Sequence, residues 1–129
     1  MGIQVVRLGS ERQSEEGIRI GTVRRPPRGV KKADYAAQNW YDAWLPNLSP
    51  SAETMKMGQS ARTEQDWKRF KARYKKEMAR PENARVLELL AALSHTTDFS
   101  VGCYCEDEDR CHRSVLKGLL RDKGAQLKE

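Results

Sequence analysis

The chain has 129 residues, 38% hydrophobic and 33% charged, with a formal net charge of +6. That length suits one domain with a modest core and leaves no room for a second independent one. It contains no apolar run of about eighteen residues and no signal-peptide pattern at Met1-Gly2-Ile3-Gln4, so the expectation is a soluble, cytoplasmic protein without a membrane partner.

Ile3 to Leu8 has the branched apolar content of a strand and stops at Gly9-Ser10. Ile18 to Val23 alternates as a second strand. It runs into Arg24-Arg25-Pro26-Pro27-Arg28-Gly29-Val30-Lys31-Lys32, where paired prolines forbid regular structure and five cationic side chains gather. Ala33 to Gln38 suits a short helix, and Asn39 to Leu45 a third strand ended by Pro46. Asn47 to Arg62, with Pro50, Gly58 and several serines, reads as the least ordered stretch.

Thr63-Glu64-Gln65-Asp66 resembles a capping box with aspartate in place of glutamate. Trp67, Phe70, Tyr74 and Met78 follow at helical spacing, opposite Lys68, Arg69, Lys71, Arg73, Lys75 and Lys76. A solvated outer face explains that basic side, and a nucleic-acid contact is its functional rival. Pro81 opens a helix whose Val86, Leu87, Leu89, Leu90 and Leu93 predict a wide buried face. Thr97 to Cys103 is the last strand. A helix from His112 to Lys123, with Val115, Leu116, Leu119 and Leu120 inward and Gly124 as its stop, closes the chain. The order of elements predicts a single α/β domain over 1–129, with a mainly parallel sheet flanked by helices and an undetermined strand order.

All three cysteines fall within Cys103-Tyr104-Cys105-Glu106-Asp107-Glu108-Asp109-Arg110-Cys111-His112-Arg113. So tight a cluster is not a secreted disulfide framework, which spreads an even number of cysteines along the chain. The strand and helix readings place Cys103 at the carboxyl end of a strand, where open α/β sheets bind ligands. They place Cys111-His112-Arg113 at a helix opening, where free amides and the helix dipole favour anions. A thiol in that field has a lowered pKa, which makes Cys111 the expected thiolate, while the carboxylates of 106–109 oppose the effect.

Ligand spacing bears on three other chemistries. A zinc site would need Cys103, Cys105, Cys111 and His112, but structural zinc ligands usually stand two to four residues apart. Cys111 and His112, if both helical, also point about 100° apart. A thiol redox pair lacks the C-x-x-C spacing, and Cys105 to Arg110 is one residue short of a phosphatase loop. A purely structural reading also stands: a buried Cys103, a local cap at His112 and a surface ion pair at Arg113. His95 reads as a solvated helix-end residue.

Cys103 and Cys111-His112-Arg113-Ser114 resemble the C-terminal motif of the YeaO-like domain-of-unknown-function family. Gly17 to Ile20, Arg25 to Lys32, Trp44 to Ser51 and Trp67 to Tyr74 are similar to its remaining segments. The resemblance implies a compact Rossmann-like α/β domain with no settled activity. Cys105 departs from the usual pattern and resembles instead a second uncharacterised family with a Cys-Trp-Cys motif followed by Cys-His, linked by fold analogy to nucleotide chemistry.

The functional expectation is a site for a phosphorylated, nucleotide-like ligand. Arg113, Arg24, Arg25 and Arg28 would hold the anion, with Cys103, Cys111 and His112 facing the reacting group for hydrolysis or transfer. No cofactor is expected. The alternatives are a non-enzymatic metal- or redox-responsive module, and a nucleic-acid-binding protein using the basic loop and the Trp67 helix.

Overall fold

A computed structural model describes residues 1–105 and 111–128. Four strands, β1 (Gly2–Arg7), β2 (Ile18–Gly21), β3 (Ala43–Trp44) and β4 (Asp98–Cys103), form one all-parallel sheet in the order β1-β4-β2-β3. The helices are α1 (Ala52–Gln59), α2 (Glu64–Met78), α3 (Pro81–Leu93) and α4 (His112–Asp122). The expected α/β architecture is therefore present. The last strand in sequence lies between the first two, so its carboxyl end opens at the middle of the sheet.

Alternation along the strands turns Ile3, Ile20, Phe99 and Val101 to one face. There they join Trp67, Phe70, Tyr74 and Met78 of α2, Leu87 and Leu90 of α3, and Val115, Leu116 and Leu120 of α4 in one buried cluster. The Thr63–Asp66 capping box forms as expected, each side chain serving the other's backbone amide. Exposed Lys68, Arg69, Lys75 and Lys76 occupy the outer side of α2. Gly124, at φ 89°, takes the left-handed conformation that ends α4.

The largest departure from expectation lies between residues 47 and 62. It holds a one-turn 3₁₀ helix at Pro46–Leu48 and the whole of α1. Ser51 caps α1 through the Thr54 amide, and the Glu77 carboxylate of α2 accepts from Ser51 N, Ser51 Oγ and Thr54 Oγ1 at 3.0, 2.6 and 2.7 Å. Gly58 is a packing contact: an added Cβ would sit 2.8 Å from the Phe70 ring. A carboxylate and a ring from α2 thus stabilise a helix of weak local propensity.

The helix expected over 33–38 reduces to a 3₁₀ turn at Lys32–Asp34, and the third strand to Ala43–Trp44. Asn39, at φ 64°, interrupts the extended chain before it. Of the apolar residues on α3 only Leu87, Leu90 and Ala91 are buried, while Leu89 and Leu93 are 57% and 40% exposed. The helix presents a wider apolar face than its neighbours cover.

Candidate functional site

The site is assembled at the carboxyl ends of β2 and β4. Thr22, one residue past β2, donates to Gly102 O from its amide at 2.9 Å and its hydroxyl at 3.0 Å. Leu8 N donates to Cys103 O at 2.8 Å, fixing the end of β4 on its other side. The segments leaving the two strands that flank β4 are therefore both fastened to its carboxyl end.

Cys111 is the N-cap of α4, with extended backbone angles (φ −126°, ψ 154°), and His112 is the first helical residue. This change of backbone conformation removes the divergence expected of two consecutive helical side chains. Cys103 Sγ and Cys111 Sγ lie 2.8 Å apart, and Cys111 Sγ lies 3.7 Å from His112 Nδ1. One ligand-type atom from each of the three residues fits within 4.8 Å of the others. All three are buried, at 1%, 3% and 3% exposure.

The imidazole is oriented by its far nitrogen. His112 Nε2 is 2.8 Å from Thr22 O, and a carbonyl only accepts, so Nε2 carries the proton. Burial holds the His112 pKa below its ordinary value, against the opposing pull of the Thr22 carbonyl. Nδ1 of the neutral ring then presents a lone pair toward the sulfurs. The Tyr74 ring stands edge-on to the imidazole, its centroid 5.7 Å away.

The thiols are not equivalent. Hydrogen bonds to Cys105 and Cys111, then burial, push Cys103 far up. Its bond with Cys103 favours the Cys111 thiolate, but the bond to Cys105, burial and the neighbouring charge of Cys105 outweigh it, and Cys111 rises to about 11. Exposed Cys105 moves strongly down, because Cys103 and Cys111 donate to its sulfur and the Arg113 guanidinium adds positive field. Of the three thiols, only that of Cys105 is shifted toward the thiolate. Proximity to a helix N-terminus does not offset the burial of Cys111 beside another sulfur.

A cavity of about 390 Å³ opens above this cluster. Cys103, Cys105 and His112 line it on one side, Val23, Met55 and Tyr104 supply apolar surface, and Arg24, Arg25 and Lys56 supply positive charge. Of the cations expected to hold an anion, Arg24 and Arg25 therefore reach the cavity. Arg28 does not: it lines a neighbouring groove with Pro26, Pro27, Tyr35, Trp40 and Tyr104. Arg113 is 5% exposed and donates from Nη2 to Cys105 O at 2.9 Å, which makes it a support for the Cys105 backbone. Cys111 does not line the cavity. The acidic run 106–109, expected to oppose a thiolate at the site, falls outside the described residues.

Lys56 and Met55 were not anticipated, because α1 itself was not. Ser51 at the N-cap position, with Glu53 in the turn that follows, is the available signal for a helix start. Thr22 had no signal at all, since its role belongs to a main-chain carbonyl. His95 is exposed at a helix end as expected, with Nε2 2.8 Å from Gly124 O.

Among the described residues no helix is long and apolar enough to cross a membrane. No curated protein and no solved structure matches the chain. A family model does match, over residues 3–124: DUF488-N3a, described as the active DUF488-N3 subclade. Because that match spans both the cysteine cluster and the sheet that carries it, the chain belongs to the DUF488-N3a family of domains of unknown function.

Proposed function

We propose that the cavity binds a phosphorylated, nucleotide-like small molecule. The observation that carries this reading is the joint lining: Arg24, Arg25 and Lys56 beside Val23, Met55 and Tyr104, with Cys103, Cys105 and His112 at one wall. Cationic side chains suit phosphate oxygens, and an apolar and aromatic wall suits a flat heterocycle. The position at the carboxyl edge of a parallel sheet is the usual ligand position in such folds. The description of the matched subclade as active supports extending binding to hydrolysis or transfer of the ligand. The finer likeness to YeaO-like proteins, through Cys103 and Cys111-His112-Arg113, belongs to the same reading.

Thermal unfolding with nucleoside monophosphates, compared with the matching nucleosides, tests it. A monophosphate should raise the melting temperature where its nucleoside does not. The Arg24→Ala/Arg25→Ala double variant should lose the shift, and Arg28→Ala should keep it. Equal shifts with nucleoside and nucleotide, or none with any nucleotide, would overturn the reading.

A further inference from the structure

We infer that Cys103, Cys111 and His112 form a binding site for a soft divalent cation, best matched by zinc, with a fourth coordination position open to the cavity. This goes beyond the anion reading and does not depend on it. It also reverses the sequence-based expectation of no cofactor. That expectation rested on ligand spacing and on two adjacent side chains diverging along a helix, and the extended backbone at Cys111 removes the second objection.

Several independent features agree. The donor set is two thiol sulfurs and one imidazole nitrogen, a combination zinc accepts, and three protein ligands with an open position is the pattern of its catalytic sites. Zinc–sulfur and zinc–nitrogen distances of about 2.3 and 2.0–2.1 Å place tetrahedral ligands about 3.6 Å apart for a sulfur–nitrogen pair. Cys111 Sγ and His112 Nδ1 are already 3.7 Å apart. The two sulfurs must separate from 2.8 Å to about 3.8 Å, a rotation of the Cys103 and Cys111 side chains.

The outer contact is in place as well. Metal-binding imidazoles commonly donate their second N–H to a carbonyl or carboxylate, which fixes the tautomer. His112 Nε2 does this to Thr22 O, leaving Nδ1 as the coordinating atom. Two thiolates neutralise a divalent cation, so the loaded site adds no net charge to a buried region. Cys103 and His112 also line the cavity, which puts an ion between them in reach of a ligand there.

The test is titration of the reduced full-length chain with zinc against a competing chelator, and with cobalt(II) followed by absorption. No phosphorylated ligand is present, so its outcome is separate from that of the nucleotide experiment. One ion per chain is expected, with thiolate-to-cobalt charge-transfer bands and tetrahedral d–d bands. Cys103→Ser and Cys111→Ser should each weaken binding by more than the roughly 10–100-fold cost of losing an outer-shell partner. His112→Cys, which preserves a ligand, should keep the ion and intensify the charge-transfer band. Cys105→Ser should keep both stoichiometry and affinity within a factor of a few. Absence of binding by the folded wild-type chain overturns the proposal, as does binding indifferent to Cys103→Ser and Cys111→Ser. A loss in Cys105→Ser as large as in Cys111→Ser overturns the open fourth position.

Discussion

Ile20 and Val101 point from the sheet into the buried apolar and aromatic cluster that it forms with α2, α3 and α4. Arg19 and Ser100, one residue earlier on the same strands, point the other way, into a layer built from loops. There Glu16, 1% exposed, accepts from Arg19 Nε at 2.6 Å, Arg19 Nη2 at 2.8 Å and Ser100 Oγ at 2.6 Å. Arg19, 0% exposed, also donates from Nη1 to Ser10 O and Asn39 O at 2.9 and 2.8 Å. One face is stabilised by area removed from water. The other is held by a charge pair that organises irregular backbone at Ser10 and Asn39. Apolar packing tolerates substitution in proportion to the volume lost, whereas a buried ion pair fails when either partner is removed.

The sharpest way to break the comparison is Glu16→Leu, which strands the Arg19 guanidinium. It should cost about 3–5 kcal/mol in urea unfolding, and adding Arg19→Met should recover much of that loss. A double variant as unstable as the single one would show that the pair's backbone contacts, not its charge balance, support the loop layer. On the helical face, Leu116→Ala, at a fully buried position, should cost about 2–5 kcal/mol with a lost-volume signature. A value under about 1 kcal/mol would mean that this face is looser than its burial suggests.

Glu77 is a polar exception on the helical side, and it adds a pH dependence. Burial pushes its carboxyl up, but bonds from Ser51 and Thr54 and the charge of Arg80 outweigh this and leave the pKa below the ordinary range. A depressed folded pKa contributes stability above the unfolded value, about pH 4.3, and loses it as pH falls through the folded one. Glu77→Gln should cost about 1–3 kcal/mol at neutral pH and flatten the loss of stability on acidification. An unchanged acid limb would argue that α1 does not depend on this carboxylate. The smallest effect should come from Arg73→Ala, whose exposed partner Glu53 makes a surface pair of at most about 1 kcal/mol.

The functional site follows the same division. Its buried part, Cys103, Cys111 and His112, sits where β4 and α4 meet, and strand and helix periodicity made both elements legible. Its outer part, Lys56 and Met55, was not legible, because α1 exists through Glu77 and Phe70 of a different helix. The geometry at Cys111 also escaped local reasoning: whether a helix begins at a residue or just after it turns the side chain to a different partner.

By itself the chain's periodic apolar spacing determined three strands, α2, α3, α4 and the concentration of sulfur chemistry at one strand-to-helix junction. These are local properties, set by side-chain period, caps and proline. Tertiary structure alone decided that β4 lies between β1 and β2, that α1 is a helix, and that Arg24 and Arg25 rather than Arg28 and Arg113 reach the cavity. It also decided that the Thr22 carbonyl sets the tautomer of His112. Each depends on groups distant in sequence meeting across the sheet edge, and no local propensity records which carbonyl or carboxylate will stand opposite.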